Sequence, residues 1–182
     1  MRNLLTLILS CALLASSCKK EERGDTMLRI YLGDNLRAIP FNAEALNIEI
    51  QGVKIKYQGP VADANSNDPG NSEDWVWLNT KPGVYNLVDL FKGNVLQISS
   101  GPVPGATVKE IRFVLGRNNS VKMDGVTIPI NLPANSEYGF KIPAVMDLAV
   151  PIDSLTIDFN TAKSLQRTSS GQFALNPAFA IR

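Results

Sequence analysis

Asn47-Ile48-Glu49-Ile50-Gln51-Gly52-Val53-Lys54-Ile55-Lys56-Tyr57 decides the fold class of this chain. Each half alternates apolar and polar residues with a period of two, the period at which side chains leave a β-strand on opposite faces. The apolar residues occupy even positions before Gly52 and odd positions after it. A β-bulge at Gly52 is therefore predicted, because one inserted residue returns both aliphatic sets to the same face. A strand that is apolar on one face and polar on the other belongs to an antiparallel sheet packed on one side.

The same signal recurs on either side. Strands are predicted at Leu28 to Leu32, Trp75 to Leu78, Val84 to Leu87, Val95 to Ile98, Val108 to Leu115, Val126 to Ile130, Tyr138 to Ile142, Leu155 to Phe159 and Phe173 to Ile181. Gly, Pro, Asn and Asp clusters separate them. Asp124-Gly125, between Val121-Lys122-Met123 and Val126-Thr127-Ile128, predicts a two-residue hairpin turn in which glycine takes the positive φ. One helical turn is expected at Asn160 to Leu165, and no long stretch has a period of 3.6. Pro129, Pro133, Pro143 and Pro151 are expected at strand ends or edges, since proline has no N–H for a ladder. Many short strands without interleaved helices predict an all-β, two-sheet antiparallel sandwich over residues 27–182.

The first seventeen residues have the build of a secretory signal, with Arg2 ahead of an apolar run from Leu4 to Leu14 and small residues Ala15, Ser16 and Ser17 at its end. That run is shorter than the ~20 residues a membrane-spanning helix needs. Leu14-Ala15-Ser16-Ser17-Cys18 resembles the bacterial lipobox, which implies cleavage before Cys18 and acylation of its thiol. The other cysteine, Cys11, lies inside the apolar run, and no cysteine after Cys18 can form a disulfide. Residues 18–26 are charged and lack apolar periodicity, as in a flexible tether. Within them Lys20-Glu21-Glu22 resembles a lysine-then-two-acids signal that sends lipoproteins to the outer face of the outer membrane. An outer-membrane lipoprotein facing the cell surface is the expected location. Lys and Arg total 18 and Asp and Glu 17, and loss of Arg2 with the leader leaves the two signs equal. No net field then draws in a phosphate backbone, so nucleic acid is not an expected partner.

A series along the chain carries a further resemblance: Val88-Asp89-Leu90, Pro104-Gly105, Ile111-Arg112-Phe113-Val114-Leu115, Asp124-Gly125, Gly139-Phe140-Lys141-Ile142, Leu155-Thr156-Ile157-Asp158-Phe159-Asn160, Lys163-Ser164 and Phe173-Ala174-Leu175-Asn176-Pro177. It resembles the bacterial lipoprotein family catalogued as domain of unknown function 4382, over residues 27 to 182. Gly33-Asp34-Asn35-Leu36 stands where that family has a Thr-Asp-Ala-Pro-like turn. The resemblance implies an immunoglobulin-like or prealbumin-like sandwich and carries over no catalytic residues.

The chain contains no histidine, which removes Ser-His-Asp and Cys-His nucleophiles and His-ligated zinc. Ser16 and Lys19 match a nucleophile spacing only across the cleavage site. Asp153 and Asp158 are the nearest candidates for a glycosidase-type carboxylate pair, which needs separations of about 5 to 9 Å. The simpler reading places Asp153 at a strand edge and has Asp158 hydrogen-bond the following turn. No catalytic residue and no resident cofactor is expected, and the protein reads as a non-enzyme. Asn118-Asn119-Ser120 matches a glycosylation acceptor and reads as a turn.

Two segments invite ligands. In the stretch from Asp63 to Asp74, oxygen donors echo a calcium loop, with Asp63, Asn65, Asn67 and Asp74 as the candidate ligands, although Asp68 stands where glycine is usual. A solvated strand connection has the same composition. Trp75 and Trp77 share one face of a predicted strand, and Val76 and Leu78 the other. Exposed side-by-side indoles stack on sugar rings. Apolar residues on both faces more often mark a strand buried on both sides, so core placement is the expectation here. The functional expectation is a lipid-anchored envelope module, joined to the membrane through Cys18 and binding a glycan or an envelope protein. The alternative is a structural accessory subunit of an adhesin or pilus-like assembly, making contact by strand addition along Phe173 to Ile181.

Overall fold

The computed structural model describes residues 25–34, 39–58, 73–104, 107–134, 136–148 and 151–182. Among these residues, fourteen strands run in chain order: β1 (Thr26–Gly33), β2 (Ala45–Gln58), β3 (Glu73–Trp77), β4 (Asn79–Thr80), β5 (Gly83–Asn86), β6 (Val95–Val103), β7 (Thr107–Leu115), β8 (Ser120–Met123), β9 (Val126–Asn131), β10 (Phe140–Asp147), β11 (Ile152–Phe159), β12 (Leu165–Arg167), β13 (Phe173–Leu175) and β14 (Phe179–Ile181). They form two sheets. One has the order β14-β11-β1-β6-β4, the other β10-β7-β2-β8-β9-β13-β12, with β3 and β5 also paired to β2. The two inner faces share one core, which joins Leu28, Ile30, Leu32 and Ile157 of the first sheet to Ile48, Ile50, Ile55 and Phe113 of the second. The protein is an all-β sandwich.

Its sheets are mixed, and this corrects the antiparallel expectation. Strand β1 pairs parallel with β11, Met27 facing Ile152 and Gly33 facing Asp158, and β13 pairs parallel with β9. Local patterning predicts strands but is silent on partners so distant in the chain.

Strand β2 runs unbroken through Gly52. Its pairing with β7 steps from Ile50–Leu115 to Gly52–Val114, leaving Gln51 as the extra residue. Leu46, Ile48 and Ile50 before the step, and Val53 and Ile55 after it, are all buried. The bulge thus does what the change of parity required. The predicted hairpin joins β8 to β9, with positive φ at both Asp124 (49°) and Gly125 (76°). Asn160 caps the single helical turn, α1 (Thr161–Ser164), its side chain accepting from the Lys163 N–H at 3.0 Å.

Pro133, Pro143 and Pro151 follow the missing donor, but Pro129 departs from the expectation. It lies within β9, opposite Ser120, in a strand flanked by β8 and β13, and is tolerated because β13 pairs only with the next two residues, Ile130 and Asn131. Pro133 lies just after β9 and Pro151 just before β11. Pro143 sits in the edge strand β10, where its pairing with β7 becomes irregular. The predicted run Phe173 to Ile181 is divided at Asn176-Pro177-Ala178. Its first part, β13, lies inside one sheet between β9 and β12, and its second, β14, forms an edge of the other.

Candidate functional site

Strand β3 lies antiparallel against the second half of β2, with Trp77 opposite Lys54 and Trp75 opposite Lys56. The period of two sends Val76 inward against the core, followed by the buried Leu78, and turns both indoles outward. Trp75 is 38% exposed and Trp77 60% exposed. The core placement expected from the sequence is therefore overturned. Apolar residues occupy both faces of this segment, yet only Val76 and Leu78 are covered.

Glycine at position 52 supports the outer ring. A Cβ there would stand 2.7 Å from Trp77 Cζ3, so the indole lies against bare backbone that any side chain would obstruct. The glycine that marked a bulge in the sequence is also the seat of an aromatic ring.

Cations interleave with the rings. Lys54 Nζ stands between them, 4.9 Å from the Trp75 ring centre and 5.4 Å from that of Trp77. Arg112 Cζ lies 5.0 Å from the Trp75 ring centre. Each contact is within cation–π range and contributes about 0.5–1 kcal/mol at an exposed position. Across the strands, one row reads Trp77, Lys54, Arg112, Lys141 and the next Trp75, Lys56, Glu110, Pro143.

Glu110 is buried at the centre of this shelf. Its carboxylate takes an ion pair from Arg112 Nε and another from Lys141 Nζ, the latter at 2.8 Å. Burial pushes the Glu110 carboxyl up, but the hydrogen bonds from Lys141 and Arg112 outweigh it and hold the group below its ordinary value. Arg112 also donates through Nη1 to the Tyr138 carbonyl oxygen at 3.4 Å, which ties the shelf to the turn at Ser136–Tyr138.

Where Gly52 pairs with Val114 the shelf runs into an open groove of about 560 Å³, bounded by Glu49, Gln51, Val114, Arg117 and Glu137. Its size falls in the usual range of small-ligand sites. A separate small void beside Ile39, Leu46, Leu87 and Leu165 holds about 10 Å³, the lower limit for one water, and is a packing gap.

The other candidates are not brought together. Asp153 and Asp158 are five residues apart on β11, an odd spacing that puts them on opposite faces, about 16 Å apart along the strand. Asp153 accepts from the Ser154 N–H, while Asp158 holds Arg182 through two bonds of 3.1 Å. Asp158 thus anchors Arg182, just after β14, instead of the turn expected from the sequence. Of the calcium candidates, Asp63, Asn65 and Asn67 lie outside the described residues, as do Cys18, Lys20, Glu21 and Glu22. Asp74 is on β3, opposite Tyr57. Burial raises the Tyr57 hydroxyl pKa, and the nearby Asp74 and Asp25 add to the shift. Among the described residues no cluster of three or more acidic, His or Cys side chains could hold a metal. None of their helices is long and apolar enough to cross a membrane. Asn119, read as a turn residue, lies in the connection between β7 and β8, where it is buried, accepts from the Glu49 N–H at 2.9 Å and donates to the Gly116 carbonyl at 2.8 Å.

The sequence reading missed Lys54, Arg112, Glu110 and Lys141. Lys54 and Lys56 showed as the polar phase of an alternating strand, but only strand pairing sets them between the tryptophans and β7.

A two-sheet sandwich with an aromatic and cationic shelf on one outer face is thus the class of molecule that fold and site define. Residues 25–177 match the family model described as Domain of unknown function (DUF4382), and the chain belongs to that family. No match was found among curated proteins or solved structures.

Proposed function

We propose that the protein is a non-enzymatic glycan-binding module of the cell envelope, with the Trp75–Trp77 shelf as its binding face. The observation that carries this reading is the outward projection of two adjacent indoles from a sheet whose other face is core. Water-exposed rings of this size are costly to leave uncovered, and sugar rings offer the flat C–H faces that cover them. The lipobox-like Leu14-Ala15-Ser16-Ser17-Cys18 and the Lys20-Glu21-Glu22 run support attachment to the outer membrane through a lipid on Cys18, with the domain facing outward. Affinity electrophoresis of the full-length protein through gels containing polysaccharides tests the binding face. The double variant Trp75→Ala, Trp77→Ala should lose retardation while keeping its thermal unfolding transition. Loss of the transition would return the rings to a structural role.

The second reading, a structural subunit of a surface assembly, is favoured by one observation: β14 is a three-residue strand at the edge of its sheet. A polymerising protein would support that role, and a monomer that binds glycan would remove it.

A further inference from the structure

We infer that the shelf takes an acidic polysaccharide, a carboxylate-bearing glycan whose rings stack on Trp75 and Trp77 while its charged groups meet Lys54, Arg112 and Lys141. This rests on the glycan-binding reading above and adds the ligand's charge.

The chain as a whole is nearly balanced in sign, but the shelf is not. Its two cross-strand rows set Lys54, Arg112 and Lys141 around one carboxylate, Glu110, leaving two positive charges beside Lys56, which has a partner of its own. Hydrogen-bonding chemistry points the same way. Ammonium and guanidinium groups only donate. The one carboxylate on these rows is buried and already taken by Arg112 and Lys141. A neutral sugar both donates and accepts through each hydroxyl, and these side chains offer its donors no acceptor. A sugar carboxylate only accepts, so it matches them.

The row from Trp77 to Lys141 crosses three interstrand gaps, about 14 Å, which suits several linked rings better than a single sugar. The rings and cations are also held in place before any ligand arrives. Lys54 is set between the indoles, and Arg112 is fixed by Glu110 and the Tyr138 carbonyl. Little ordering is left for binding to impose.

The test is affinity electrophoresis of the full-length protein against polygalacturonate, its fully methyl-esterified form, alginate and dextran. The ester keeps the sugar backbone and removes the charge. Polygalacturonate and alginate should retard the protein about tenfold more strongly than the two neutral polymers. That advantage should fade between about 0.05 and about 0.5 M salt, as screening shortens the reach of the charges. Lys54→Gln should remove the preference for the acid over its ester, Lys54→Arg should restore it, and Lys141→Gln should weaken it independently.

Equal retardation by polygalacturonate and its ester overturns the acidic assignment and leaves glycan binding standing. Retardation by none of the four overturns both. Capture by anionic lipid vesicles or single-stranded DNA, abolished by Lys54→Gln while every polysaccharide stays inert, also overturns it in favour of a different anion.

Discussion

The two halves of β2, on either side of Gln51, bury their inward aliphatic residues equally and use their outward ones differently. Before the bulge, Asn47 Nδ2 bonds Ser120 Oγ at 3.3 Å, and the Glu49 carboxylate accepts from the Asn118 N–H at 2.8 Å. The Glu49 backbone is itself held by Asn119. After the bulge, Lys54 stands between two exposed indoles, and Arg112 across the strand continues the row. The polar capacity of the first half is used up in fixing the turn between β7 and β8, whereas that of the second half faces outward. Alternation alone cannot distinguish these uses; the neighbours across the strands do.

The largest effect should come from breaking what the halves share. Ile55→Ala and Ile48→Ala remove fully buried side chains from either side of the bulge, and each should lower stability by about 3 kcal/mol in urea unfolding. A much smaller loss for Ile55→Ala would mean that the shelf is not rooted in the core. Next, Asn119→Ala leaves the Glu49 N–H and the Gly116 carbonyl without their partner and should cost about 2 kcal/mol, with polysaccharide retardation intact.

A smaller effect should appear on acidification. Because the Glu110 carboxyl is held below its ordinary value in the fold, it stabilises the protein above the usual carboxylate range. That contribution is lost as pH falls through about 4 and on towards the lower folded value. Melting temperatures from pH 7 to pH 3 should decline less steeply for Glu110→Gln than for the native protein, and parallel curves would refute the assignment. The smallest change in stability is expected from Gly52→Ala, whose methyl tilts the Trp77 indole off its seat. It should shift tryptophan fluorescence and weaken retardation while changing stability by about 1 kcal/mol or less.

Local chemistry explains what was legible in the sequence. Parity across Gly52, the Asp124-Gly125 pair and the helical turn after Asn160 are decided within a few residues, and the fold shows all three. The parallel union of β1 with β11 depends on partners more than a hundred residues apart, and the length of Phe173 to Ile181 hid its division between two sheets. The candidate site was half visible. Trp75 and Trp77 stood out as a pair, but whether a layer covers them is a tertiary fact. Arg112 and Lys141 reach the shelf only through the pairing of β7 with β2 and β10.

The position of β1 bears on how the molecule comes into being. It is the middle strand of its sheet, held by β6 on one side and by β11 on the other. Synthesis runs from the N-terminus at about 5–20 residues per second, so roughly ten seconds separate the appearance of Met27 from that of Ile152, its partner. Throughout that interval one side of the central strand has only wrong partners to meet, and unpaired strand sides are where chains stick to one another. The first sheet therefore closes around β1 only once β11 is available, and this long-range parallel pairing is of the kind that slows folding.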